Sequence, residues 1–295
     1  MPRSAILMSL RPHQWVKNLF LFAAIVFSGK LFALHELAMV AGGFILFCGG
    51  ASAVYLANDV VDAPQDRLHP EKSKRPIAAG LITPARAIAA SVLLGALVLL
   101  GAFALRTEFG LTLSAYVLLN IAYSFWLKRI VILDVMTVAM SFVLRVIAGA
   151  VVINVPISDW LLVCTMLLAL FLSFSKRRYE LVALRDGAAE HRSVLQNYSP
   201  YFLDQMIAVV TASTVVAYSV YTVSPETLER FGTGHLIYTV PFVLYGIFRY
   251  LFLVHQQEKG GNPTRVLLND IPLIVNVVLW MLTAVVIIYW RRQVP

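Results

Sequence analysis

Asn58, Asp59, Asp62 and Asp66 fall within nine consecutive residues. Asn58, Asp62 and Asp66 recur every four residues, the spacing that puts side chains on one helix face. Asp59 lies three residues before Asp62. Carboxylates so placed suit Mg2+, which takes hard oxygen ligands, commonly one or two carboxylates together with water and substrate phosphate. Asn58 can orient a ligand oxygen without adding charge. A basic run follows at once in Arg67, Lys72, Lys74 and Arg75. Acids that hold a metal beside bases that hold phosphate point to chemistry on a diphosphate. The competing reading is an acidic helix end paired with Arg67 or Arg75. Pro64 is expected to disturb the helix, so that Asp66 approaches from the loop.

The elements that must position these groups are apolar. The chain has 295 residues, 59% of them hydrophobic and 14% charged. A soluble domain carries about 25% charge. Apolar runs at about 18–34, 38–57, 86–105, 110–127, 134–154, 159–175, 205–223, 235–254 and 271–290 are each long enough to cross a bilayer as a helix. The expected fold class is all-α, a polytopic membrane bundle formed by one domain over residues 1–295. Run length and weak alternation argue against a transmembrane β-barrel. Cys48 and Cys164 both lie in apolar runs and match no zinc or redox spacing. No cleavable signal peptide is expected ahead of the first run.

Charge orients the bundle. The joins at 58–85, 128–133, 176–204 and 255–270, with the N-terminal segment, carry seventeen Lys or Arg, against five on the other side. The basic side therefore reads as cytoplasmic. Most of the +8 net charge lies there, beside anionic head groups and phosphorylated metabolites. Basic residues dispersed over membrane loops, with no recognition fold, argue against nucleic acid as a partner.

The same loops hold the remaining candidates. Arg11, His13 and Lys17 precede the first run, and Pro12 can start a helix there. They could meet a phosphate, or could merely anchor the chain beside the interfacial Trp15. Lys128 and Arg129 precede Asp134, and Tyr123 lies just upstream. Asp134, Ser141 and Arg145 share a face, with Arg145 deep enough to need a partner or a wet cavity. Asp134 lies about 16 Å from Arg145 along such a helix, so a direct pair between them is not expected, and an acid for Arg145 would have to come from another span; a carbonyl cluster is the other option. Lys176, Arg177 and Arg178 form a candidate diphosphate clamp, with Glu180 one turn from Lys176. Tyr198 and Asp204 precede the seventh run, where Asp204 could serve a second carboxylate site or cap a helix. Asp270, before Ile271-Pro272, reads as a helix N-cap. There is no Walker, Rossmann or zinc-ligand pattern.

The NDxxDxxxD pattern from Asn58 to Asp66 resembles the signature of the UbiA-type intramembrane prenyltransferase superfamily, and the likeness covers most of the chain. It implies a nine-helix bundle around a central cavity open to the cytoplasm and the membrane, with Mg2+ at acidic regions. A closer likeness, to the decaprenyl-phosphate phosphoribosyltransferase branch, rests on Arg11–Asn18, Lys72–Ile77, Tyr123–Lys128, Phe142–Arg145 and Lys176–Glu180. Asn197-Tyr198-Ser199 and Asn262-Pro263-Thr264 extend it. After Lys176 come Glu180 and Asp186 but no repeated DxxxD, a departure from the aromatic prenyltransferases.

The branch implies transfer of 5-phosphoribosyl from phosphoribosyl diphosphate to a polyprenyl (decaprenyl) phosphate in a bacterial cell membrane. Diphosphate would leave, and the product would feed arabinose donors for the cell wall. Under this likeness Asp59, Asp62 and Asp66 hold Mg2+, and Lys17 and Lys128 meet substrate phosphates. Asn58, Arg11, His13, Lys74, Arg75, Tyr123, Arg145, Lys176, Arg177, Arg178, Glu180, Tyr198 and Asp204 are the wider binding set. The likeness leaves room for a homo-oligomer. An aromatic prenyltransferase and a transporter are the alternatives, and no inverted repeat favours the latter.

Overall fold

The computed structural model describes residues 2–68, 72–184, 193–256 and 263–290. The described residues are helical throughout, with α1 at Pro2–Ser9, α2 at Phe22–Phe27 and α3 at Leu34–Asp66. Next come α4 at Pro84–Leu105, α5 at Thr107–Phe125, α6 at Leu133–Val152 and α7 at Asp159–Leu184. The second half contains α8 at Pro200–Val223, α9 at Pro225–Phe231, α10 at Val240–His255, α11 at Pro263–Asn269 and α12 at Ile271–Trp290. Seven helical segments among the described residues are long and apolar enough to cross a membrane. The chain is therefore a multi-pass membrane protein of all-α architecture.

One of the nine expected runs takes another form, and one is helical as expected but less apolar than the rest. The first is not one long helix: a 3-10 segment at Pro12–Leu21 leads into the short α2. Pro12 opens it, as expected, and Arg11 before it adopts a left-handed conformation with φ 53°. The fourth run is α5, a 19-residue helix that begins with the charged Glu108 in its first turn. It falls outside the seven by composition.

Helix starts follow local chemistry. The Thr83 hydroxyl accepts from the Arg86 N–H ahead of α4, and Ser199 accepts from Phe202 ahead of α8. Each is followed by proline, whose missing N–H costs nothing at a first helical position. Asp270 caps α12 as expected, its Oδ1 accepting from Leu273 N–H at 3.0 Å.

The expectation for Asp66 changes. α3 runs through Pro64 and ends at Asp66. Proline forfeits one backbone bond in the last turn, and the turn recloses through Arg67 N–H to Ala63 O at 3.2 Å. Asp66 therefore stays on the helix. With 33 residues, α3 is about 50 Å long, well beyond a hydrocarbon core of about 30 Å. The excess carries the acidic motif to one end of the bundle.

That end collects the chemistry because neighbouring helices alternate in direction. α3 and α5 leave there, α6 enters, α7 leaves and α8 enters. Among the described residues four apolar clusters hold the helices together, two of them large. One joins Leu21, Phe47, Phe109, Leu113, Tyr116 and Val152. The other joins Phe171, Leu203, Ile207, Tyr250 and Leu273.

The 3-10 segment is seated on α6 at Gly149. A Cβ there would lie 1.9 Å from the Leu21 carbonyl oxygen. Backbone cannot yield as a flexible side chain does, so Gly149→Ala should destabilise the fold by about 1–3 kcal/mol. Thermal unfolding in detergent measures this; an unchanged midpoint would mean that the segment does not need this close seat.

Candidate active site at the end of the third helix

Asp59 is 2% exposed, and a carboxylate so buried is costly unless it is paired. Two cations meet it. Arg11, aimed by its left-handed backbone, binds Oδ1, and Arg75 Nη1 lies 3.2 Å from the same oxygen. Arg75 also bridges to Asp66 Oδ2 at 2.6 Å. The other Asp59 oxygen, Oδ2, is buried and has no hydrogen-bond partner. The Arg11 guanidinium lies 5.3 Å from the Tyr55 ring centroid. Trp15 Nε1–H donates to Ser52 Oγ at 3.0 Å, and Ser52 donates to Leu10 O at 2.8 Å. These bonds fasten the N-terminal segment along α3.

Asp62 turns to another side. Lys128 Nζ reaches its Oδ1 at 2.5 Å, and Asn58 Nδ2–H donates to its Oδ2 at 2.8 Å. The Asn58 oxygen meets the Ser124 hydroxyl at 2.8 Å. Asn58 thus orients a carboxylate, which the sequence reading left open. Ser124 falls in the Tyr123–Lys128 stretch of the family likeness but has no role assigned from the sequence.

The three acids form no ready-made cage: among the described residues no group of three acid, His or Cys side chains is placed to hold a metal. Asp59 and Asp66 share Arg75, whereas Asp62 shares Lys128. The donor set still fits Mg2+ held jointly with a phosphorylated substrate. It offers hard oxygens one turn apart, and Asp59 Oδ2 is a buried acceptor lacking a donor.

A second cluster forms where α5, α6 and α7 meet. Arg177 Nε donates to Asp134 Oδ2 at 2.7 Å, and Nη1 donates to Glu180 at 2.8 Å. Arg177 Nη2 lies 3.5 Å from the Tyr123 hydroxyl. Tyr198 donates to Asp134 Oδ1 at 2.7 Å and accepts from the Ile132 N–H at 2.8 Å. Burial, then the bond to Asp134, pushes the Tyr198 phenol up. Lys176 lies 3.6 Å from Glu180. Lys72 links the clusters electrostatically, facing Glu180 and Asp66 as well as Arg75 and Lys176. Burial lowers its pKa. The sequence reading placed Lys72 in the basic run but not among the binding candidates.

Lys17 stands apart. It is half-buried and makes no hydrogen bond or ion pair among the described residues. Burial lowers its amine to about 7, assisted by Lys176, Arg145 and Arg11. A partly buried amine facing only cations is a seat for an anion.

Other candidates are redistributed. Arg145 is 3% exposed and donates to Asn18 Oδ1 at 2.8 Å and Ser141 O at 2.6 Å, with Tyr116 Oη at 3.0 Å. Its guanidinium also faces the Phe47, Tyr116 and Phe142 rings. It therefore pins the 3-10 segment to α6 and supplies positive potential; its direct partners are protein atoms. Arg178 and Asp204 pair with each other, and His255 lies 3.3 Å from Asp204; no hydrogen bond or ion pair joins them to the acidic motif. The expected three-cation clamp is split because successive helix residues point about 100° apart. Lys74 and His13 are exposed. Arg185, Asp186, Arg192, Glu258, Lys259, Gly260, Gly261, Asn262, Arg291 and Arg292 lie outside the described residues.

The chain is thus an all-α membrane bundle with acids, an amide and cations gathered at one end. Its fold matches that of a UbiA homolog from Archaeoglobus fulgidus bound to GPP and Mg2+, with TM-score 0.73 and 20% identity over 96% of this chain and 99% of that one. The UbiA prenyltransferase family profile matches residues 18–269, and the chain belongs to that family. It is 33% identical to a decaprenyl-phosphate phosphoribosyltransferase from Corynebacterium glutamicum over 95% of this chain and 86% of the relative. It is 30% identical to a protein of the same name from Mycolicibacterium smegmatis, over 97% of this chain and 93% of the relative.

Two outcomes follow from these contacts. Arg177→Met leaves Asp134 buried without its cation and should cost about 3–5 kcal/mol in stability. Adding Asp134→Asn should restore part of the loss; no recovery in the double variant would mean that the pair is not the source. Lys17 sets a pH dependence. Its folded pKa lies below the ordinary lysine value of about 10.4, so its charge destabilises the fold fully below pH 7, and that penalty fades between pH 7 and the ordinary value. Its contribution to binding a phosphorylated ligand runs the other way. Affinity should fall as pH rises through 7, and Lys17→Arg should flatten the decline; identical pH profiles for the two proteins would exclude Lys17 from the anion seat.

Proposed function

We propose that this protein transfers the 5-phosphoribosyl group from phosphoribosyl diphosphate to a polyprenyl phosphate, with Mg2+ and release of diphosphate. One observation carries the reading most directly: carboxylates and cations meet on buried ground at the end of α3, with a separate acid-free lysine nearby. A reaction between two phosphorylated substrates needs that division. The near full-length likeness to decaprenyl-phosphate phosphoribosyltransferases supports it.

The roles follow from charge and position. Asp59, Asp62 and Asp66 hold Mg2+ together with the diphosphate of the donor. When bound, Mg2+ neutralises charge that develops on the leaving diphosphate. Arg75 and Lys128 already lie against these acids and are placed to share the same phosphate charge. Asn58 keeps Asp62 oriented. Lys17 and Lys176 offer charge to the phosphate of the lipid acceptor, whose oxygen attacks ribose C1 as the C1–O bond to diphosphate breaks. That oxygen is ionised at neutral pH, so alignment matters more than a general base. Arg177, Glu180, Tyr123 and Tyr198 form the wall that positions the ribosyl donor.

The whole chain acts as one domain in a bacterial cell membrane. Its crossings number nine when the broken first run and α5 are counted. The basic loops and the cavity face the cytoplasm, and the product serves as a precursor of arabinose donors for the cell wall. Self-association into a homo-oligomer is compatible with this arrangement.

Purified protein with Mg2+, polyprenyl phosphate and phosphoribosyl diphosphate labelled in the ribose should place label in the lipid and release diphosphate. Turnover of a prenyl diphosphate with an aromatic acceptor, and no labelled lipid, would overturn the reading. Asp62→Ala should abolish most transfer while membrane insertion persists; unaltered Mg2+-dependent turnover in that variant would remove Asp62 from the site.

A further inference from the structure

Asp204, set apart from the acidic motif and paired with Arg178 behind it, stands at the mouth of a separate feature. An open groove of about 860 Å3 runs between α8 and α10. Both helices belong to spans long and apolar enough to cross the membrane. Ala208 and Ala212, one turn apart and exposed, line it on the α8 side. Phe248 and Phe252, one turn apart and exposed at 58% and 44%, line it from α10. Apart from its mouth, the lining is almost wholly apolar.

One end is charged. Arg178 donates through Nε and Nη2 to Asp204, and its Nη1 has no acceptor among the described residues. His255 Nδ1 lies 3.0 Å from the Leu251 carbonyl, and its Nε2 lies 3.3 Å from Asp204. An Arg and a His thus flank a single carboxylate, with guanidinium donors to spare.

The length of the groove selects among lipids. Its lining on α8 extends from Asp204 to Val216, and on α10 from His255 back to Leu244. Twelve residues of helix rise about 18 Å, close to the roughly 15 Å depth of one leaflet's hydrocarbon. A long polyprenyl chain exceeds that span, whereas the acyl chains of a bilayer lipid match it. We propose that this groove binds one anionic phospholipid of the surrounding membrane. Its phosphate lies on Arg178, and its acyl chains lie along Ala208, Ala212, Phe248 and Phe252. Arg178 follows Arg177 in α7, so a headgroup that holds Arg178 also steadies the turn that carries Arg177 to Asp134.

Native mass spectrometry of the full-length protein, released from detergent with phosphatidylglycerol and phosphatidylcholine of equal chain length, tests this. The wild type should retain phosphatidylglycerol roughly tenfold better than phosphatidylcholine, as expected for a charge-assisted phosphate contact. Arg178→Gln should remove that preference, and Ala212→Trp should remove retention of both lipids by filling the groove. Should Ala212→Trp fail to fold, Ala208→Phe gives the same readout from the next turn. Equal retention of the two lipids by the wild type, or retention unchanged in the variants, would overturn the proposal. Displacement of phosphatidylglycerol by equimolar polyprenyl phosphate would overturn it in favour of a substrate store.

Discussion

A carboxylate buried among protein atoms must be neutralised, and much of this structure follows from that constraint. Asp59 is almost fully buried. Its charge draws in Arg11 from the N-terminal segment and Arg75 from the loop after α3. Those two arginines bring together parts of the chain that share no apolar periodicity. The left-handed turn at Arg11 is the local strain that accompanies this placement. Under the proposed function, the side chains that hold this end of the bundle together would also serve its chemistry.

The second cluster solves the same problem differently. Asp134 and Arg177 are both buried, and the bond between them is supported on each side by a neighbour: Tyr198 on the other carboxylate oxygen, Glu180 on the guanidinium. Such a pair adds little net stability over an apolar core, because both groups lose water. Its use is geometric. It ties the start of α6 to the end of α7 and to the segment before α8, so the wall of the site is set by bonds with defined direction. Arg145 makes the corresponding tie lower in the bundle, joining α6 to the 3-10 segment through Asn18.

The acidic motif was legible in the sequence because its chemistry is local: a four-residue period and adjacent bases suffice. Most helices were legible too, since a long apolar run in a membrane protein has few alternatives. The first run was misread as a continuous helix. Its apolar content is sufficient, but Gly149 lets the Leu21 backbone pack directly on α6, and this close seat coincides with a tightened 3-10 path. Pro64 suggests a disturbed helix end with Asp66 in the loop, yet one lost bond in a final turn is a small cost when Arg75 and Asp66 lock that turn in place. Arg177 and Arg178 looked equivalent in the run of three cations. Helical rotation sends one into the site and the other to Asp204.

Sequence alone determined the membrane class, the acidic end of α3 and the pool of cations that accompanies it, because composition and short spacings encode them. Only tertiary structure decided which cation meets which acid: that Asp62 faces Lys128, that Asp59 faces Arg11 and Arg75, and that Lys17 is left among cations. The physical reason is range. Helical period reaches a few residues along the chain, whereas the Lys128–Asp62 pair spans 66 residues and exists only after α3 and α5 have packed.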